Sequence, residues 1–402
     1  MFWDRQVEST LSRLKKNVHA PVRVVLWDGR EFAFSDCTRA TIRLKDTQAA
    51  LILRHPSMLS LARAYIEGNA DIEGDLRDVI QGAEAISKAV SPPLFGSQRV
   101  PGERHSRRDD RDAIHHHYDV SNEFYGLWLD PRMVYSCAYY RDEADTLEIA
   151  QKQKLDHICR KLRLQAGERF LDIGCGWGAL VIHAAREYGV DATGITLSHN
   201  QHRLANERIA EAGLQDRCRV LMQDYRDLPG EAAYDKVASV GMFEHVGLRN
   251  LPVYFGSVRR VLKERGLFLN HGITSCDTDN REVGLGAGEF IDRYVFPTGE
   301  LAHLHRAIRD MSDQRLEVHD VECLRPHYAK TLAAWSAAFE QHLGEAVAAS
   351  NERTARIWRL YLAGCAHAFE QGWISVYQVL ATRREQPGPT RLPLTRDWMY
   401  GR

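Results

Sequence analysis

Hydrophobic positions at the start of the chain recur at helical spacing. The apolar face of residues 1–18 consists of Phe2, Trp3, Val7, Leu11, Leu14 and Val18. The opposite face carries Arg5, Arg13, Lys15 and Lys16. This pattern predicts an amphipathic helix. Such a helix either packs on its own domain or lies in a membrane interface, and the pattern leaves both alternatives open.

The following segment has the pattern of a small mixed α/β unit. Two strand-like runs flank the dipeptide Asp28-Gly29, which favours a tight hairpin turn. Two more strand-like runs and then two helical patterns follow, at 40–45, 49–54, 57–67 and 75–88. We therefore predict an N-terminal domain over residues 1–90.

Residues 91–112 are rich in proline, glycine and charge and show no periodicity, which predicts a linker. The cations Arg104, Arg107 and Arg108 lie within it. They either contact an anionic surface, together with the first helix, or are simply solvated.

Strand-like and helical segments alternate from residue 113 onward. This rhythm predicts an α/β fold with a doubly wound, mostly parallel sheet. Beyond residue 330 the pattern is long and helical, which predicts a helical C-terminal elaboration. The second domain is therefore expected to span residues 113–402.

Composition excludes several classes of protein. With 44% hydrophobic and 27% charged residues, the chain is neither disordered nor collagen-like. Its net charge is −1, so attraction to an anionic surface must come from local clusters, and we expect no nucleic-acid partner. The eight cysteines form no CxxC pair, which disfavours zinc and redox motifs and fits a cytoplasmic location. Adjacent histidines at His115–His117 cannot all point one way, so we expect no metal.

A glycine-rich turn follows the predicted strand at 169–171. Asp172, Gly174, Gly176 and Gly178 form D-x-G-x-G-x-G, in which the third glycine comes one residue too early for a dinucleotide reader. The next strand ends without an acid. This spacing suits S-adenosylmethionine, with Asp172 orienting the turn or the ligand's ammonium, although a plain tight turn is the alternative. Asp224 would face the adenine edge or cap a helix.

Eight motifs follow one another over roughly residues 115 to 382. They are HHYDVSNEFYGLWLDPRMVYSCAYY, LDIGCGWGALVIHAA, GITLSHNQ, GMFEHVG, FLNHGIT, FIDRYVFP, LRPHYAKTLAAW and YLAGCAHAFEQGWISVYQVLATR. In these motifs the sequence resembles the cyclopropane-fatty-acyl-phospholipid synthase family, which includes the mycolic-acid modifying methyltransferases. The first 90 residues look like the N-terminal domain of the longer, phospholipid-acting members.

The resemblance implies a Rossmann-like class I methyltransferase fold and a lipid substrate. The enzyme would transfer the methyl of S-adenosylmethionine to a cis double bond in an unsaturated membrane phospholipid and form a cyclopropane ring. It would be associated peripherally with the inner face of the membrane. Family members are often dimers, so a homodimer is open as an assembly.

The resemblance also implies two sets of site residues. Those expected to touch S-adenosylmethionine are Tyr135, Ser136, Asp172, Gly174, Cys175, Gly176, Gly178, Thr196, Leu197, Gln201, Asp224 and Tyr225. Those expected to act in catalysis by holding a bicarbonate-like anion are Cys137, Glu244, His271, Ile273 and Tyr328. No metal is expected.

The implied chemistry gives these residues a physical purpose. Methylation of an alkene leaves a carbocation, so the cavity must be dry and a captive anion could act as an exchangeable base. Aromatic faces could stabilise the cation, and the candidates are Tyr139, Phe290, Tyr294 and Trp335. The alternatives are a same-fold enzyme that gives methyl-branched or methylene lipids, one that methylates a small amine, and a catalytically silent lipid-binding protein.

Overall fold

The structure is a computed structural model that describes most of the chain. The described residues are 2–47, 49, 52, 57–90, 120–279, 281, 283–297, 299–385, 388–389 and 392–400. The predicted linker at 91–112, with Arg104, Arg107 and Arg108, lies outside them, as do His115–His117. The side chains of Phe2, Trp3 and Arg5 also lie outside the described part.

The N-terminal unit contains a four-stranded sheet of order β2-β1-β3-β4. Its strands are β1 (Val22–Val25), β2 (Glu31–Ala33), β3 (Ala40–Leu44) and β4 (Ala70–Gly74). Its helices are α1 (Phe2–Asn17), α2 (Met58–Ile66) and α3 (Leu76–Val90). The β1–β2 hairpin turns at Gly29, whose φ of 87° explains the glycine. Ser57 caps α2, where the pattern predicted its start.

The apolar face of α1 packs inside this unit. Val7, Leu11, Leu14 and Val18 are all buried in the core that the unit forms with its sheet. The described part of the helix therefore follows the first of the two alternatives, packing on its own domain.

Two details of the N-terminal prediction differ from the structure. Residues 49–54 were expected to form a strand, but the described Ala49 and Ile52 lie in 3₁₀ turns. β4 was not predicted, because its short sequence ADIEG ends in charged and glycine residues. Its pairing with β3 stabilises it, and tertiary context of this kind overrides weak strand propensity.

The second unit is built on a seven-stranded sheet of order β10-β11-β9-β8-β5-β6-β7. The strands are β5 (Arg169–Ile173), β6 (Asp191–Thr196), β7 (Cys218–Met222), β8 (Tyr234–Val240), β9 (Leu262–Ser275), β10 (Leu316–Cys323) and β11 (Ile374–Arg383). Strands β5 to β9 pair in parallel, whereas β11 pairs antiparallel with both β9 and β10. The predicted mostly parallel sheet is confirmed.

Helices cover both faces of this sheet and extend beyond its C-terminal half. They are α4 (Asn122–Gly126), α5 (Leu147–Lys161), α6 (Ala179–Tyr188), α7 (His199–Glu211), α8 (Leu251–Val261), α9 (Ala287–Tyr294), α10 (Leu304–Asp313), α11 (Arg325–Gln341), α12 (Leu343–Ala349), α13 (Glu352–Glu370) and α14 (Asp397–Tyr400). No helix within the described ranges has both the length and the apolar character needed to cross a membrane.

The N-terminal unit packs against α13 of the second unit. Arg359 donates to the Tyr65 hydroxyl at 2.9 Å, and Arg356 donates to the Tyr65 carbonyl at 2.6 Å. Glu84 and His367 form a buried contact of 2.6 Å between α3 and α13. One continuous hydrophobic cluster runs across this boundary. The division into domains at residues 90 and 112 stays a prediction.

Candidate functional site

The glycine turn lies between the end of β5 and the start of α6. Gly174, Gly176 and Gly178 all have positive φ, at 79°, 55° and 82°. A Cβ on Gly174 would lie 2.9 Å from the Met242 side chain, so this turn excludes any larger residue. A Cβ on Gly176 would meet nothing within 4 Å, because it faces open space. Glycine at these positions keeps the backbone tight and accessible.

A cavity, here called the glycine-turn cavity, lies at the carboxyl ends of the parallel strands, where α/β sheets bind their ligands. Eleven of the twelve residues expected to touch S-adenosylmethionine line it: Tyr135, Ser136, Asp172, Gly174, Cys175, Gly176, Thr196, Leu197, Gln201, Asp224 and Tyr225. Gly178 does not line the cavity. Gly178 is the N-cap of α6, and a Cβ at this position would lie 3.1 Å from the Cβ of Ala205.

Two buried charged groups face this cavity. Asp172 is buried, and its Oδ1 has no hydrogen-bond partner. Burial raises the pKa of Asp172 to about 7, partly offset by the charge of Lys154. The Lys154 Nζ donates to Ser136 Oγ at 2.8 Å, and burial lowers the pKa of this lysine to about 8. Lys154 was not among the residues identified from sequence.

The wall opposite the glycine turn is held by local hydrogen bonds. Thr196 Oγ1 donates to Gln201 Oε1 at 2.7 Å, and Ser198 caps α7. Both carboxylate oxygens of Asp224 accept from Arg226. The Asp224 side chain also caps a short 3₁₀ helix, so it performs the capping role that was the alternative to facing adenine, while still forming part of the wall.

A second, apolar cavity of about 260 Å³ adjoins the first. Tyr135, Gly241 and His245 line both cavities and therefore join them. Much of its wall comes from the N-terminal unit, through residues that include Met58, Leu61, Tyr65, Ile72, Ile80 and Ala83. None of these residues lines the glycine-turn cavity. The sequence did not indicate this wall, because it depends on contacts between distant segments.

Glu244 lies where the apolar cavity approaches the sheet. It belongs to a short 3₁₀ helix after β8, and its Oε1 accepts from the Ile273 N–H at 2.6 Å. Its Oε2 is buried without a partner, and burial raises the pKa of the carboxyl to about 7. Ile273 and Tyr328 line the same cavity.

The other two residues of the expected anion set, His271 and Cys137, line neither described cavity. His271 is buried on β9, and burial lowers its pKa well below the usual value, so the ring is neutral. The Gln378 amide donates to its Nδ1 at 3.2 Å, which leaves the ring hydrogen on Nε2, an atom without a partner. The Cys137 Sγ donates to the Ala138 carbonyl, and burial raises the pKa of the thiol, so it is not a nucleophile.

Of the four aromatic candidates, the structure brings one to the apolar cavity. Phe290 lines it, whereas Tyr294 packs behind Phe290 and Trp335 packs between Trp128 and Tyr135. Tyr139 stacks between two histidines away from the cavity. Several aromatic residues that were not candidates for this role also line the cavity, and they include Tyr135, Phe296 and Tyr361.

The described residues contain no cluster of three or more histidine, cysteine, aspartate or glutamate side chains suited to a metal ion. Asp172 in the first cavity and Glu244 in the second each keep a buried carboxylate oxygen without a hydrogen-bond partner. The arrangement therefore suits ligands held by hydrogen bonds and apolar contact.

Comparisons with known proteins agree with this architecture. The mycolic acid cyclopropane synthetase family matches residues 105–379, and a domain of unknown function matches residues 10–91. A probable fatty acid methyltransferase of Pseudomonas putida is 50% identical over 96% of this chain and 98% of its own length. The cyclopropane-fatty-acyl-phospholipid synthase of Escherichia coli is 42% identical over 68% of each chain.

A solved structure shows the same fold. The mycolic acid cyclopropane synthase CmaA1, crystallised with SAH and CTAB, superposes with a TM-score of 0.64 at 35% identity. The match covers 68% of this chain and 98% of that one.

Proposed function

Because the chain belongs to the mycolic acid cyclopropane synthetase family and is an S-adenosylmethionine-dependent lipid methyltransferase, we propose that it methylates the cis double bond of unsaturated acyl chains in membrane phospholipids. The proposed product is a cyclopropane ring. The observation that carries this proposal is the junction of the two cavities at Tyr135, Gly241 and His245. A hydrocarbon chain in the apolar cavity would meet a methyl donor in the glycine-turn cavity.

The residues of the glycine-turn cavity fit S-adenosylmethionine. The unpartnered Asp172 Oδ1 suits an ammonium group, and the open space beside Gly176 admits a ligand close to the backbone. When bound, S-adenosylmethionine supplies an electrophilic methyl group. An alkene is a weak nucleophile, so the contribution of this wall is strict alignment of donor and chain.

The apolar cavity fits an acyl chain and the cation that methylation leaves on it. Aliphatic and aromatic side chains from both units exclude water, which would otherwise convert the cation to an alcohol. The ring faces of Tyr135, Phe290 and Phe296 line the cavity and can stabilise positive charge without reacting with it. An amine substrate would gain nothing from so extensive an apolar wall.

Two buried atoms are the candidate contacts of a bicarbonate-like anion, one on Glu244 in the lining of the apolar cavity and one on His271 outside that lining. Glu244 Oε2 and His271 Nε2 are both buried without hydrogen-bond partners. His271 carries its hydrogen on Nε2, and Glu244, with a pKa of about 7, can hold a proton on Oε2. Both groups could then donate to an anion. The bound anion would supply an exchangeable base for the proton that leaves before ring closure.

We also propose that the enzyme works at the cytoplasmic surface of the membrane. Arg13, Lys15 and Lys16 are exposed on α1, on the side opposite its buried face. Each cation near an anionic surface is worth about 1 kcal/mol. A homodimer stays a prediction from the resemblance.

The direct test incubates the full chain with S-adenosylmethionine and vesicles of phosphatidylglycerol that carries cis-unsaturated chains. Mass spectrometry of the released fatty acids should show a gain of one CH₂, and ozonolysis should leave the product intact because a ring has replaced the double bond. A product of the same mass that ozonolysis cleaves would instead indicate a methylene or unsaturated methyl-branched lipid. Parallel reactions with a free unsaturated fatty acid and a small amine distinguish the substrate class, and methylation of the amine alone would overturn the proposal.

A variant in the N-terminal wall tests the role of the apolar cavity. Ala83→Leu adds bulk to α3 at a position that lines this cavity. Because overpacking a cavity costs about 1–3 kcal/mol, we expect turnover of C18 chains to fall about tenfold while affinity for S-adenosylmethionine stays unchanged. Ala89→Leu, on an exposed face of the same helix, is the matched control. Equal turnover in both variants would show that chains do not occupy this cavity.

A further inference from the structure

Lys154 is a buried lysine without a counter-ion. It lies in α5 and is 2% exposed, yet its side chain lines the glycine-turn cavity. The hydrogen bond of its ammonium is to Ser136 Oγ. Across the described residues, no carboxylate comes within the 4.0 Å of an ion pair with it. Burying an ammonium without a negative partner is unfavourable. An anionic group bound in the glycine-turn cavity beside Lys154 would therefore be favoured.

A buried carboxylate, Asp172, lines the same cavity. Asp172 Oδ1 is buried without a partner. The two groups lower the electrostatic cost of each other's burial, but they do not pair directly. A cavity with one buried cation and one buried anion, both incompletely partnered, suits a ligand that carries both charges.

We propose that Lys154, together with Ser136, binds the α-carboxylate of S-adenosylmethionine, while Asp172 binds its α-ammonium. The inference rests on the proposed function, in which this ligand occupies the glycine-turn cavity. The Ser136 hydroxyl accepts from Lys154, so its own hydrogen is free to donate onward to the carboxylate. Lys154 is thus a cofactor-recognition residue that the glycine motif does not include.

The test compares two ligands that differ in one charged group. Isothermal titration measures the dissociation constants of S-adenosylmethionine and of decarboxylated S-adenosylmethionine, which lacks the α-carboxylate. Because a charge-assisted hydrogen bond is stronger than a neutral one, the wild-type chain should prefer the carboxylated ligand by at least about tenfold, which corresponds to about 1.4 kcal/mol. Lys154→Met should reduce this preference to about twofold or less, and Lys154→Arg should retain most of it.

Lys161→Met is the matched control. Lys161 lies two turns along the same helix and is equally buried, but it pairs with Asp320 and Glu322. Its replacement should lower the melting temperature without changing the ratio of the two affinities. A merely structural role of Lys154 would give the same result as this control.

A second variant covers the case in which Lys154→Met does not fold. Ser136→Ala leaves the lysine in place and should reduce the preference for the carboxylated ligand severalfold. Wild-type preference in folded Lys154→Met, or in Ser136→Ala, would overturn the inference. Failure of the wild-type chain to bind either ligand would instead count against the proposed function.

The pH dependence gives a further readout. Burial lowers the pKa of Lys154, and the charges of Cys137, Asp130 and Asp172 partly offset this. Burial raises the pKa of Asp172, and the charge of Lys154 partly offsets that shift. Affinity for S-adenosylmethionine should fall above pH 8, as Lys154 with its pKa of about 8 loses its proton. It should also fall below pH 7, as Asp172 with its pKa of about 7 gains one. Lys154→Met should leave only the alkaline fall that comes from the ligand's own α-ammonium, and it should move the acidic limb to higher pH, because the charge of Lys154 lowers the pKa of Asp172.

Discussion

Replacing Glu244 with Gln should lower turnover on unsaturated lipid by about 100-fold or more. A positioned group that takes part in proton transfer contributes about 10²–10⁴-fold to the rate of a reaction. The amide oxygen of Gln can still accept from the Ile273 N–H, so the short helix after β8 should keep its place. The Gln amide can still donate a hydrogen bond from the position of Oε2, so what the variant loses is a carboxyl that can release and regain a proton beside the anion. Affinity for S-adenosylmethionine should stay near wild type, because Glu244 does not line the glycine-turn cavity.

Glu289→Gln is the control for the Glu244 variant. Glu289 is an exposed carboxylate on α9, and its neutralisation changes the net charge by the same amount. Stopped-time assays by mass spectrometry and titration calorimetry supply the two measurements. Wild-type turnover in Glu244→Gln would remove the anion site from the mechanism. His271→Ala should show the same separation of turnover from cofactor binding.

Gly174→Val should abolish measurable binding of S-adenosylmethionine. The new Cβ would lie 2.9 Å from Met242, on a backbone with φ of 79°. A left-handed conformation costs an L-residue about 1–2 kcal/mol, and the clash adds to this. We expect affinity to fall by more than about 100-fold, a loss that corresponds to about 2.7 kcal/mol.

Two companion variants separate ligand exclusion from backbone strain. Gly213→Val has similar left-handed strain, with φ of 66°, but its Cβ meets nothing within 4 Å and Gly213 does not line the glycine-turn cavity. It should bind S-adenosylmethionine normally. Gly176→Val has left-handed strain as well, with φ of 55°, but its Cβ meets no protein atom within 4 Å and points into open space, so it should block the ligand even if Gly174→Val does not fold. Normal affinity in Gly176→Val would show that the glycine turn does not hold the ligand.

The parallel part of the sheet was predictable because the hydrophobic pattern of each strand lies within a short stretch of sequence. Strands β5 to β8 are short, with five to seven residues each, and β9 has 14, but each contains an apolar run that a helical period separates from the next strand. β10 has the sequence LEVHDVEC and is only partly buried at the sheet edge, so its strand state depends on pairing with β11. β11 is rich in β-branched residues, but it follows a long helix and was not separated from it. Local patterns do not report antiparallel pairing between distant segments.

The sequence predicted some parts of the candidate site and not others. The glycine turn is a compact motif with a physical reason for each glycine. The anion residues came from a resemblance, and the structure places only Glu244, Ile273 and Tyr328 on one cavity. Lys154 was missed, although a lysine among the apolar positions of α5 is a recognisable signal. The N-terminal wall could not be predicted, since its residues meet the second unit only in three dimensions.

The shared boundary between the two units has a consequence for how such sequences diverge. Tyr65 with Arg359, and Glu84 with His367, connect α2 and α3 to α13. A substitution on one side leaves a buried polar group on the other without its partner. Homologues should therefore exchange these pairs together. In a lineage that discards its first 90 residues, water would cover this face of α13, so the apolar residues that face α2 and α3 should be replaced by polar ones.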